Sequence, residues 1–166
     1  MKDKGSKLMC NDIYRIISEK DRSNIIANIV SGGYDVFVSI QFPINKRTNN
    51  LDLANSKLKA LLAQFFRIAC GKAWIKHNLE FIAVAEYSKD LNFHYHLVMK
   101  TNAFNDVKKI QDCFDVVAKN NLFDPYCIKT LPINDGELNK VADYIIKGIK
   151  YEENLKRITT KDILFN

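Results

Sequence analysis

The chain has 166 residues, 47% of them hydrophobic and 27% charged, with a formal net charge of +6. That length and balance describe one globular domain able to bury a core, exclude a low-complexity or disordered chain, and favour a polyanionic partner. No apolar run approaches the roughly 18 residues of a membrane span, no signal region follows the lysine-rich start, and Cys10, Cys70, Cys113 and Cys127 share no CxxC spacing, so a cytoplasmic setting with buried thiols is expected.

Residues 1–8 are polar. Between 10 and 30, Ile13, Ile16, Ile17, Ile25, Ile26 and Ile29, interrupted around Lys20-Asp21-Arg22, predict one or two short helices. Ser31-Gly32-Gly33 marks a turn. Residues 34–42 are rich in aromatic and β-branched types and stop at Pro43, so they read as a strand. After a polar loop at 45–50, Leu53, Leu58, Leu61, Leu62, Phe65, Phe66 and Ile68 fit one long helix from 51 to about 76, with Phe65, Phe66 and Trp74 in the core. Residues 79–87 form a second strand and 93–100 a third, joined as a hairpin through the polar loop 88–92. A helix over about 105–119 turns Ile110, Phe114 and Val117 inward, and 126–131 form a fourth strand. A final helix is expected from near Asp135 through Leu138, Val141, Tyr144, Ile145, Lys147 and Ile149 to about Asn154.

The resulting order is β-α-β-β-α-β, an α+β chain of the ferredoxin-like or RRM-like antiparallel type, with an added N-terminal helical segment and a C-terminal helix. This arrangement predicts two helices on one face of the sheet and the other face free. A single domain over 1–166, with its core at about 34–153, accounts for the whole pattern.

The third strand carries the most informative residues. In Asn92-Phe93-His94-Tyr95-His96-Leu97-Val98-Met99, alternation sends His94 and His96 to one face and Phe93, Tyr95, Leu97 and Met99 to the core. Two neutral imidazoles converging from a rigid strand suit a divalent metal. Glu86, near the end of the second strand, falls roughly opposite this pair across the hairpin. One carboxylate and two imidazoles make a one-face, three-ligand site with positions open to water and phosphate oxygens, which suits Mg²⁺ or Mn²⁺. A closed zinc site needs a fourth ligand, and no cysteine is placed to supply it. The plainer alternative pairs Glu86 with Lys89; Glu80 lies too far back to substitute, and His77 follows a helix end with no catalytic role expected.

The final helix supplies a nucleophile candidate. Tyr144 and Lys147 are three residues apart and are expected to share a helix face. A free tyrosine has a pKa near ~10, so about one in a thousand is ionised at neutral pH, a handicap of roughly 4 kcal/mol. A neighbouring ammonium lowers that barrier or neutralises charge on a reacting phosphate. Tyr151, a heptad beyond Tyr144, is a weaker second candidate because no basic residue follows it at the same spacing.

With these residues assembled, the chain resembles the HUH endonucleases, and within them the replication-initiator (Rep) branch that starts rolling-circle replication. His94-Tyr95-His96 is similar to the paired-histidine motif, Tyr144-Ile145-Ile146-Lys147 to the YxxK nucleophile motif, and Phe37-Val38-Ser39-Ile40-Gln41-Phe42-Pro43, more loosely, to the first-strand motif. The order, tyrosine after histidines, is that of the Rep branch, and the resemblance spans about 34–153. It implies a metal-dependent DNA nickase and strand-joining enzyme. Glu86, His94 and His96 would hold the metal, and Tyr144 would attack a phosphodiester to leave a free 3′-hydroxyl and a 5′-phosphotyrosyl link, assisted by Lys147. Implied partners are single-stranded, hairpin or supercoiled origin DNA of a plasmid, phage or mobile element. No GxxxxGK[ST] phosphate loop is present, so unwinding would fall to a separate helicase. The alternative from another class is a non-catalytic single-stranded nucleic-acid-binding module on the same fold, for which Phe93-His94-Tyr95-His96-Leu97 is a poor RNP-like match.

Overall fold

The computed structural model describes residues 15–77, 79–100, 106–120 and 127–165. Helix α1 (Glu19–Ser31) starts at Ser18, whose hydroxyl accepts from the Asp21 amide at 3.1 Å. It is the only helix formed over the described part of 10–30; Cys10 and Ile13 lie outside the described residues. Strand β1 (Val36–Ile40) is shorter than expected at both ends.

Helix α2 (Leu51–Cys70) is capped by Asn50, whose Oδ1 accepts from the Leu53 amide at 2.9 Å. Asn50→Ala should therefore lower stability by about 1 kcal/mol, read as a lower midpoint in chemical denaturation with an unchanged slope. The helix stops at Gly71, with φ of 76°, rather than running to about 76. Glycine reaches that conformation without the Cβ clash that other residues meet. Trp74–Lys76 is a separate 3-10 turn that still buries Trp74.

Strands β2 (Phe81–Tyr87) and β3 (Phe93–Met99) form the expected hairpin, followed by α3 (Val107–Asn120) and β4 (Ile128–Pro132). The expected starts of these last two elements, Asn105 and Tyr126, lie outside the described residues. Then come α4 (Leu138–Ile145), β5 (Ile158–Thr160) and α5 (Lys161–Phe165). All pairings in the five-stranded sheet are antiparallel, in the order β4-β1-β3-β2-β5, an arrangement compatible with a ferredoxin-like α+β fold.

One face of the sheet packs against α2, α3 and α5. Val38, Ile40, Ala83, Tyr95 and Leu97 from the strands meet Leu58, Leu62, Phe65, Phe114 and Leu164. Phe65 and Phe114 stack with centroids 4.1 Å apart, and Tyr95 donates its hydroxyl to Asn55 Oδ1 at 2.7 Å. Cys70, half-buried at the end of α2, and Cys113, buried in α3, carry free thiols that burial pushes above the ordinary thiol value.

The opposite face is not free, contrary to expectation. Val84 and Val98 are buried there with Ile17 and Ile29 from α1 and its lead-in, and with Ala142, Ile145, Ile146 and Ile149 from α4 and the turn after it. The cause is visible in β2, where Phe81-Ile82-Ala83-Val84-Ala85 is apolar on both faces and so demands cover on both. Arg22 fastens the two covering helices, its Nη2 lying 2.8 Å from Asp143 Oδ1.

The last expected helix is also corrected. Helix α4 ends at Ile145 in a tight turn, with the Lys147 amide donating to Tyr144 O and the Ile149 amide to Ile146 O. Gly148 resists continued helix on entropic grounds, and the turn keeps Ile145, Ile146 and Ile149 buried. The chain then runs back along the lead-in to α1, where Ile17 N donates to Lys150 O and Tyr151 bridges Ile16. Strand β5 and α5 were not anticipated; the three residues Ile158–Thr160 add an edge strand to β2.

Candidate functional site

Strands β2 and β3 bring the expected metal ligands together because of their register. Glu86 pairs directly with His94, and Val84 with His96. His96 Nε2 lies 2.8 Å and His94 Nε2 3.3 Å from the same oxygen, Glu86 Oε2. The two imidazoles stand perpendicular with centroids 4.9 Å apart, and one ligand atom from each of the three residues lies within 4.8 Å of the others. On β1, the same alternation that buries Val36 and Val38 in the α2/α3 core turns Phe37 to this face. Its ring stacks on His96 at 5.5 Å.

Lys147 connects this cluster to Tyr144. Its Nζ donates to Glu86 Oε1 at 3.2 Å and sits 4.0 Å from the centroid of the Tyr144 ring. Tyr144 is 45% exposed, with its ring 5.2 Å from His96 and 6.1 Å from Phe37. Tyr144 and Lys147 therefore meet as expected, though through the turn after α4 and not along one helix face. The pairing of Glu86 with Lys89 does not occur; its ammonium partner is Lys147.

Burial sets the charge of each group. It pushes both imidazoles below the ordinary value of 6.5, reinforced at His96 by the nearby His94 and opposed at both by the Glu86 carboxylate. Both rings are thus neutral near pH 7; facing an ionised carboxylate, His96 donates its Nε2–H to Glu86 Oε2 at 2.8 Å, and His94 Nε2 approaches the same oxygen at 3.3 Å. Burial also works to raise Glu86, but the Lys147 hydrogen bond and the charges of His96, Lys147 and His94 prevail and hold it below the ordinary carboxylate value. Lys147 is pulled down by burial but held above its ordinary value by Glu86 and Tyr144, so it keeps its proton.

Two neutral imidazoles and an ionised carboxylate on one sheet face fit a divalent cation. Ligation through Nε2 moves each ring proton to Nδ1. At His96 that atom is buried and has no hydrogen-bond partner among the described residues, so the metal-binding tautomer is unassisted there.

The depressed imidazole values also fix a sign for acid sensitivity. The unfolded chain takes up protons at these residues before the folded one does, so their contribution is complete above 6.5 and is lost as pH falls below it. In metal-free buffer the melting temperature should fall as the pH drops below 6.5, and His94→Gln/His96→Gln should flatten that fall. An unchanged slope in the double variant would place the acid sensitivity elsewhere.

Tyr151 is not on the α4 face. It shares with Arg22, Lys147 and Lys150 a separate cleft of about 370 Å³. Two contributors escaped sequence reasoning. The parity of Phe37 on β1 could have placed it beside the histidines once β1 was paired with β3. The Arg22–Asp143 link joins segments 121 residues apart and has no local signal. Among the described residues, no helix is long and apolar enough to cross a membrane. Comparison with known protein families, curated proteins and solved structures finds no match.

Proposed function

We propose that this chain is a metal-dependent DNA-nicking and joining enzyme of the HUH Rep type, with Tyr144 as nucleophile. One observation carries the reading: Lys147 bonds to the carboxylate of the Glu86/His94/His96 cluster and covers the Tyr144 ring with the same ammonium. A metal-ligand set and an exposed tyrosine are thereby held at one place, which a merely structural role for either does not require. The β4-β1-β3-β2 part of the sheet, with β5 added at its edge, also suits the ferredoxin-like core that this reading implies.

A divalent ion, Mg²⁺ or Mn²⁺, bound by Glu86, His94 and His96 would supply Lewis-acid charge to a non-bridging oxygen of the scissile phosphate. The Tyr144 oxygen would form the new P–O bond as the bond to the 3′-oxygen breaks, leaving a 3′-hydroxyl and a 5′-phosphotyrosyl link. The phenol proton would leave to solvent, because Lys147 is already protonated, and the departing 3′-oxygen would take up a proton from solvent; the Lys147 ammonium would stabilise the phenolate and the developing phosphate charge. The phosphotyrosyl bond keeps the phosphodiester's energy, so the 3′-hydroxyl could attack in reverse and rejoin the strand. The net charge of +6 supports binding of the DNA backbone. Unwinding of an origin would fall to a separate helicase.

The test is mass spectrometry of the protein after incubation with Mn²⁺ and single-stranded or supercoiled DNA. A DNA-linked peptide containing Tyr144 is expected. Binding of single strands with no adduct in Mn²⁺ or Mg²⁺ would overturn the enzyme reading in favour of a non-catalytic binding module.

A further inference from the structure

Beside Tyr144 a cleft of about 350 Å³ opens between α4 and the strands β1 and β4. Phe37 from β1, Leu131 from β4, and Val141 and Tyr144 from α4 form its apolar walls, with Glu137 and Lys140 also lining it. We propose that this cleft takes one unpaired nucleobase of the strand whose phosphate is presented to Tyr144, an inference that rests on the function proposed above.

Continuity comes first. Phe37 and Tyr144 form walls of the cleft and also contact His96, with ring centroids 5.5 Å and 5.2 Å away, so an occupant lies next to the ligand cluster. The chemistry of the walls comes second. Two aromatic rings 6.1 Å apart at 74°, flanked by aliphatic side chains, present an edge and a face to a planar group, and stacking of this kind tolerates any base. Charge comes third. Lys140 is exposed and offers a donor, and Glu137, whose Oε2 accepts from Asn134 Nδ2 at 2.8 Å, offers an acceptor for polar base edges. The cleft on the Lys150 side gathers Arg22, Lys147 and Lys150 beside Glu19 and suits phosphate better, whereas the α4–β4 cleft places apolar walls directly beside His96. A base paired in a duplex cannot turn into such a cleft without unstacking, which makes the site selective for single strands.

The test uses two fluorescein-labelled twelve-mers, one of deoxythymidylate and one of abasic deoxyribose phosphate, with matching backbone charge. Wild type should bind the first about tenfold tighter, the effect of one stacked base. Val141→Phe, which fills the cleft, should bring the two probes within about twofold. Because Val141 also packs in the α1/α4 cluster, the exposed Leu131→Ala provides a second variant and should cut the preference to about threefold. Equal affinities in wild type, or a preference that neither variant changes, would overturn the base site. The nicking reading would survive that result if the Tyr144 adduct still forms. Failure of both probes to bind would likewise overturn the base site, and the nicking reading falls only if the Tyr144 adduct is also absent.

Discussion

Tyr144→Phe is expected to bind single-stranded DNA within about twofold of the unmodified protein while losing strand cleavage by at least about a thousandfold. The substitution deletes only the hydroxyl. The ring contacts with His96 at 5.2 Å and Phe37 at 6.1 Å are retained, as is the Lys147 ammonium 4.0 Å above the ring. Because Tyr144 is 45% exposed and Lys147, which the hydroxyl also bonds, keeps its contact with Glu86, no buried polar group is orphaned, and the melting temperature should not move. Denaturing gels of a 5′- and 3′-labelled oligonucleotide series read the result directly. An adduct that persists unchanged would show that the attacking oxygen belongs to another residue, with Tyr151, across the Lys147-lined cleft, the next to replace.

Glu86→Ala should produce the second large loss, at least about a hundredfold in Mn²⁺ affinity by titration calorimetry, with metal-dependent cleavage falling in parallel. Glu86 is the shared partner of His94, His96 and Lys147, at 3.3, 2.8 and 3.2 Å. Its removal takes away the one anionic ligand and leaves an ammonium facing two imidazoles, so a cation meets repulsion where it met attraction. Lys147 should also lose the carboxylate that holds its proton above the ordinary value. Mn²⁺ affinity within about threefold of the unmodified protein would sink the ligand assignment.

Much of the site was legible because it is local. His94 and His96 share a face through strand alternation alone, and a short hairpin loop between two clear strands is enough to set Glu86 against His94. The Tyr144–Lys147 pairing was anticipated for a partly wrong reason. Three residues of separation bring the groups together in a helix, and they also do so in the tight turn that the chain adopts. Tyr151 shows where that extrapolation fails. A heptad argument holds only while the helix lasts, and α4 lasts eight residues before Ile146 and Ile149 are drawn into the sheet-covering cluster. The long-helix reading failed likewise at Gly71, where one positive φ ended α2.

The sequence by itself determined the period of each main element, the inward face of α2, α3 and β3, and the identity of the Glu86, His94 and His96 group, since each follows from side-chain spacing over a few residues. Only the tertiary structure decided that the histidine face is roofed by α1 and α4, that Arg22 ties those helices together across 121 residues, and that Phe37 stacks on His96. The physical reason is the range of the interactions involved. Backbone geometry repeats every two or 3.6 residues and can be read along the chain, whereas burial of a second sheet face depends on which distant segments find one another.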